Sequence, residues 1–289
     1  MNPIRDLLVH VDDTQRAAST WCYAAALAPR LGALPRALVA PTAWAQGAYL
    51  NPETAAIATQ MASEQLQGLE SCAQALIAQV DGATLLVSPG SPIDSLLQAS
   101  RCTDLLVLSQ RDPAGEGGLN PDLASRLMVG AACPLLFVPH IGAPHAEPAR
   151  NILLAWSGTR ESARALRDAL PLLQQAQSVE LVGCVQGDDL GRDPEPAQWL
   201  AVQQHLHRHG VQAQATVLRS RTPSLGERLV RGWTPDASVA ETLLSHAADS
   251  GADLIVAGGY GHSRAWELVL GGVTRSLLQS MTVPVLFSH

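Results

Sequence analysis

The chain contains no lysine: its 19 basic residues are all arginine, against 26 acidic ones, giving a formal net charge of −7. Without lysine there is no Walker A side chain to reach nucleotide phosphates and no kinase-type strand lysine. Nor is there a Schiff-base amine for pyridoxal phosphate or an aldolase. The acidic balance, with no basic run, argues against a nucleic-acid-binding surface. Aromatics are scarce, at 4%, so the core has to be built from Ala, Leu, Val and Ile. Long apolar runs are missing as well; nothing approaches the roughly 18–20 uninterrupted apolar residues of a membrane span. The N-terminal MNPIRDLLVHVDD carries charge where a secretory leader has its apolar core. The five cysteines (Cys22, Cys72, Cys102, Cys133 and Cys184) are odd in number, widely spaced and without a CxxC pair. They read as reduced, mostly buried thiols, and the expected location is the cytoplasm.

What is present is a repeat. The 289 residues, 47% hydrophobic and 16% charged, suit two domains of roughly 140–150 residues each. RDLLVHVDDT (5–14) aligns with RNILLAWSGT (150–159), DLLV (104–107) with DLIV (253–256), and CPLLF (133–137) with VPVLF (283–287). Three matches in the same order, at offsets of 145, 149 and 150 residues, mark a duplicated domain. The first copy is assigned to 1–140 and the second to 150–289. The Pro- and Ala-rich stretch 141–149 is read as the linker.

Each copy alternates short apolar runs with longer amphipathic ones. The patterns predict strands at 4–11, 34–40, 83–88, 104–109 and 134–138, with helices at 14–31, 52–80, 91–101 and 120–130. In the second copy they predict strands at 151–156, 178–185, 211–219, 253–258 and 283–287, with helices at 160–175, 196–209, 237–250 and 272–281. Strands such as LLVLS are apolar on both faces, as in a parallel sheet covered by helices on both sides. The expected fold is therefore α/β: two tandem doubly wound domains, each a five-stranded, mostly parallel sheet. Ligands then belong at the carboxyl ends of the strands.

The most informative segment is GGYGHSRAWELVLGGVT, residues 258–274. It follows an apolar strand and opens the last helix. Gly258, Gly259 and Gly261 let the backbone turn and approach a ligand closely. Gly271 and Gly272, with Val273 and Thr274, sit at a helix N-terminus, where free amides and the positive dipole end favour phosphate. Successive loop amides form an anion nest without any lysine. His262 and Arg264 can reach phosphate oxygens, and Arg264 is the expected cationic help.

The glycine spacing, the duplicated halves, LGGVTR, MTVPVLFSH and the VHVDDT strand–turn together resemble the universal stress protein family in its tandem two-domain form. The resemblance covers essentially the whole chain. It implies an adenine-nucleotide-hydrolase-like fold, ATP as ligand with magnesium as companion ion, and a role in stress survival. In nucleotide-binding members an Asp ending the first strand recognises adenine, and the glycine loop cradles ribose and phosphates. On that pattern this sequence divides the features between its copies. The first keeps the acid, Asp12, but has Ser109, Asp112, Pro121 and Asp122 where the loop glycines belong. Carboxylates repel phosphate and Pro121 lacks an N–H, so no triphosphate is expected there, and Asp12 is read as a turn or helix N-cap residue. The second copy keeps the glycines but has Ser157 in place of the acid, which weakens adenine recognition by roughly 1 kcal/mol. Ala155 and Val185, near strand ends, complete the expected nucleotide-binding set there. The resemblance also implies that the two copies pair through their last strands, CPLLFVP and VPVLFSH, as a pseudo-dimer within one chain. A homodimer of two chains is compatible with this.

Other features weigh less. His205, His207 and His209 form HLHRH, with His205 and His209 one turn apart, yet no third ligand is evident; a solvated helix end is the expected reading. Trp156 is expected to pack rather than stack on a base. The stretch 221–236 has no counterpart in the first copy and reads as a surface insertion, alternatively a flap over the nucleotide or a partner-docking loop. Three functions compete: a non-catalytic nucleotide-sensing regulator, a slow ATPase or adenylating enzyme, and an interaction module that binds no nucleotide. No catalytic residue and no metal site is assigned. Glu267 and Asp253 are the nearby acids, and Asp253 starts its strand at the wrong end for catalysis.

Overall fold

The computed structural model describes residues 3–12, 16–42, 52–111, 121–142, 147–186, 196–221, 235–259 and 271–289. The chain divides into two compact units, Met1–Ala146 and Glu147–His289.

In the first unit the described elements run β1 (Asp6–His10), α1 (Ala17–Leu31), β2 (Leu34–Val39), α2 (Pro52–Ile77), β3 (Thr84–Val87), α3 (Pro92–Ala99), β4 (Leu105–Ser109), α4 (Pro121–Gly130) and β5 (Leu135–Val138), with a 3-10 turn at Ser100–Cys102. The strands order as β3-β2-β1-β4-β5, and every pair is parallel. Leu7, Leu8 and Val9 of β1 and Leu105 to Leu108 of β4 are wholly buried. That accounts for their unbroken apolar runs: a strand covered by helices on both faces has no solvent side to make polar.

The second unit repeats the plan: β6 (Asn151–Ala155), α5 (Arg160–Leu173), β7 (Ser178–Gln186), α6 (Pro196–Arg208), β8 (Ala213–Ser220), α7 (Pro235–Ser250), β9 (Leu254–Gly258), α8 (Gly272–Ser280) and β10 (Val285–Ser288). Its strands order as β10-β9-β6-β7-β8, again all parallel. The topological reversal falls between β6 and β9. Among the described residues no helix is long and apolar enough to cross a membrane.

The strand limits reproduce the sequence repeat. β4 ends at Ser109 and β9 at Gly258, while β5 and β10 start at Leu135 and Val285, the offsets of 149 and 150 read from the aligned runs. One polar device is duplicated too. Asp104 Oδ2 accepts hydrogen bonds from the backbone amides of Arg5 (2.8 Å) and Asp6 (3.1 Å). Asp253 accepts from Arg150 and Asn151, each at 2.9 Å. Each acid thus holds the start of a central strand, which explains its place at the amino end of its own strand, away from any ligand.

Two expectations are corrected. The thiols are not mostly buried: Cys22, Cys72 and Cys102 are exposed and only Cys133 and Cys184 are partly covered. Cys22 lies on the solvent side of α1, whose buried stripe runs through Trp21, Tyr23, Ala24, Leu27 and Ala28. Of the two readings of Asp12, turn or helix N-cap, the cap is ruled out, since the N-cap position of α1 is Arg16, without a side-chain cap; Asp12 is buried just past β1, at 4% exposure, and the 13–15 stretch that follows lies outside the described residues.

Candidate functional site

A cleft of about 600 Å³ opens at the carboxyl ends of the second unit's strands, within the usual size range of small-molecule sites. Four segments build it. The end of β6 gives Ala155 and continues through Trp156, Ser157, Gly158 and Thr159; β7 gives Val182 to Val185; the end of β9 gives Ala257 and Gly258; and the start of α8 gives Gly271 to Thr274. Gln198 and Trp199 of α6 and Asp236, Val239 and Leu243 of α7 close the remaining wall. Placement at the β6/β9 reversal follows from topology, since helices leaving adjacent strands on opposite faces leave a crevice there.

The turn after β6 is held locally. Thr159 is the N-cap of α5 and forms a capping box with Ser162, satisfying two amides that the helix leaves open. Ser157 is exposed, with its Oγ 3.0 Å from Thr159 Oγ1. Gly158 adopts φ +72°, a left-handed conformation that favours glycine. Glu161, next along, is half-buried, which favours its neutral form. Hydrogen bonds from its own amide and from Thr159, with the Arg160 charge, outweigh this and hold its carboxyl below the usual range.

Of the residues singled out in the sequence, Ala155, Ser157, Val185, Gly258, Gly271, Gly272, Val273 and Thr274 all line this cleft. Gly259 does not: its amide donates to the Ser288 carbonyl at 2.8 Å, so it is engaged in the sheet edge rather than open to a ligand. Gly261, His262 and Arg264 lie outside the described residues, as does Glu267. Most of the 221–236 insertion also lies outside them; its last residue, Asp236, is described. His205, on α6, and His209, just past its end, have ring centroids 4.7 Å apart. Burial first, then His209, Arg167 and Arg208, push the His205 pKa down. Among the described residues no group of three or more metal-ligating side chains gathers.

Packing gives two of the glycines a reason beyond the ones spacing suggests. A Cβ on Gly258 would lie 2.6 Å from the Ser162 amide nitrogen and 2.7 Å from the Glu161 carbonyl carbon. Gly258 is therefore needed so that the start of α5 can pack on β9. A Cβ on Gly272 would collide with the side chain of Asp236, 2.6 Å from its Cβ and 2.7 Å from its Cγ.

Sequence reasoning missed the aromatic wall and the acid. Trp199 is 7% exposed and lies across β7, where a Cβ on Gly183 would be 2.7 Å from its Cη2. An isolated glycine inside a strand signals such a close approach, so Gly183 carried the clue. The Trp199 indole Nε1 is buried without a hydrogen-bond partner among the described residues, an arrangement that costs about 1–3 kcal/mol unless a ligand accepts from it. Trp156, expected to pack rather than stack on a base, is half-buried in the cleft wall. Cys184 lines the wall as well, and burial pushes its thiol up, partly offset by hydrogen bonding at Ser220. The acid at the glycine end is Asp236, the one charged side chain among the described lining residues.

Residues 148–289 match the model described as the universal stress protein family. The fold is similar to that of a universal stress protein from Archaeoglobus fulgidus DSM 4304, with a TM-score of 0.67 and 15% identity over 98% of this chain and 97% of that one. It is also similar to a protein of unknown function from Pseudomonas aeruginosa PAO1, with a TM-score of 0.58 and 16% identity over 99% of this chain and 92% of that one. Among proteins of curated function none matches the sequence. The second unit, residues 148–289, therefore belongs to the universal stress protein family, and the two-unit fold is similar along its whole length to that of a universal stress protein.

Proposed function

We propose that this protein is a stress-response regulator whose second unit takes an adenine nucleotide, ATP or a smaller relative, without turning it over. The observation that carries the reading is the cleft itself: eight residues chosen from the sequence for nucleotide binding line one cavity of suitable size. The β6 and β7 side supplies apolar and aromatic surface for a base, and the amides opening α8 supply donors for a phosphate or sugar. A regulator of this kind works by preferring one conformation or association state of the protein when its ligand is bound.

Isothermal titration of the purified full chain with ATP and with AMP tests the reading. Saturable heat at one site per chain supports it; no heat and no thermal shift at millimolar ligand removes it. Single-turnover hydrolysis with ATP then separates a sensor from a slow ATPase, because Asp236 places one carboxylate near the start of α8. Persistence of intact ATP over hours is the result expected of a sensor.

A further inference from the structure

The two ends of the cleft favour opposite kinds of chemistry. At the β7 end, Trp199 is more than nine-tenths buried and carries an indole N–H with no acceptor among the described residues. Trp156 and Ser157 stand in the same wall. A flat heterocycle with a ring nitrogen or carbonyl acceptor fits this end, gaining both ring contact and the missing hydrogen bond. At the α8 end the position next to Gly272 is taken: the Asp236 side chain packs against its Cα, closer than a Cβ would allow. Asp236 thereby puts negative charge at the helix end that would otherwise attract a phosphate. No side-chain cap is seen on α8 to share that role. Among the described lining residues no cation offsets Asp236.

We propose that Asp236 is a specificity-determining residue that makes the cleft prefer a purine nucleoside over a nucleoside triphosphate. The inference rests on the adenine-ligand reading above and narrows it to the uncharged end of the ligand. A triphosphate seated at the start of α8 has to displace the carboxylate or lie beside it. Like charges a few ångströms apart in a half-enclosed cleft repel strongly enough to lower affinity at least about tenfold. A nucleoside meets no such repulsion.

The test is calorimetric titration of the full chain with adenosine, AMP and ATP, each with and without magnesium, for the wild type, Asp236→Asn and Trp199→Phe. Adenosine is expected to bind the wild type at least about tenfold more tightly than ATP. Asp236→Asn is expected to bring ATP to within about threefold of adenosine while leaving adenosine unchanged. Trp199→Phe keeps the ring and removes the donor, and is expected to weaken adenosine by about three- to tenfold. ATP binding the wild type as tightly as adenosine, or an adenosine-to-ATP ratio unmoved by Asp236→Asn, overturns the inference and leaves the adenine-ligand reading standing. Magnesium-dependent ATP binding that Asp236→Asn abolishes also overturns it, since Asp236 would then be a metal ligand. If no adenine compound binds any of the three proteins, both readings fall. Should Asp236→Asn not fold, the wild-type ratio decides alone.

Discussion

Replacing Gly258 by alanine isolates one structural requirement of the site from its binding chemistry. Gly258 is the last residue of β9, and its φ is not in the left-handed region, so alanine is conformationally allowed there. The obstacle is purely steric. The added Cβ would sit 2.6 Å from the Ser162 nitrogen and 2.7 Å from the Glu161 carbonyl carbon, and these are backbone atoms of α5 that no rotamer change can move aside. Relief requires α5 to shift away from the sheet, at a cost of about 1–3 kcal/mol for an overpacked contact. Losing glycine's unfolded-state entropy returns at most about 1 kcal/mol of that. Gly68, exposed inside α2 with nothing within 4 Å of its added Cβ, supplies the control: there the same substitution removes a weak helix former and should stabilise by about 0.5–1 kcal/mol. Urea unfolding monitored by circular dichroism reads both variants against the wild type. A Gly258→Ala protein with an unchanged or higher midpoint would refute the steric argument. A Gly68→Ala protein less stable than the wild type would contradict the open space around Gly68.

Three further outcomes follow from the same geometry. Asp253→Ala removes two charge-assisted hydrogen bonds from the start of β6 and should lower stability by about 2–3 kcal/mol, read as a drop in melting temperature of the second unit. The depressed pKa of His205 means that below the ordinary histidine range, about 6.5, the unfolded chain takes up a proton that the folded one resists. Stability should therefore fall as pH drops from that value toward the depressed one, and His205→Gln should flatten the fall in urea midpoints between about pH 7.5 and 5.5. With a thiol reagent at neutral pH, the exposed Cys22, Cys72 and Cys102 should react well before Cys184, whose partly buried thiol is pushed up; equal rates would contradict that burial.

Much of the fold is legible in the chain because both periodicities are strong and appear twice. DLLV and DLIV, at 104 and 253, read as buried strands and form β4 and β9, with only their terminal residues differing from the predicted limits. Patterning carries such elements because an all-apolar run has no other stable environment. The site was legible only along the backbone. Glycines at 258, 271 and 272 marked strand ends and a helix start, and those amides do border the cleft. What spacing could not convey is which side chain from a distant segment comes to lie beside them. Gly272 and Asp236 are 36 residues apart in sequence, and their contact depends on α7 and α8 packing together, which no local pattern encodes.

By itself, the sequence determined the two repeated α/β units, the order of their elements and the position of a cleft at the strands' carboxyl ends. It also determined, by lacking lysine, that any phosphate would have to be met by backbone amides or arginine. Only the tertiary structure decided the character of that cleft. It laid Trp199 across Gly183, committed the Gly259 amide to Ser288, and set the Asp236 carboxylate against Gly272. The physical reason is that periodicity and backbone conformation are local properties, whereas the charge and hydrogen-bonding capacity of a cavity are sums over side chains that meet only when helices pack.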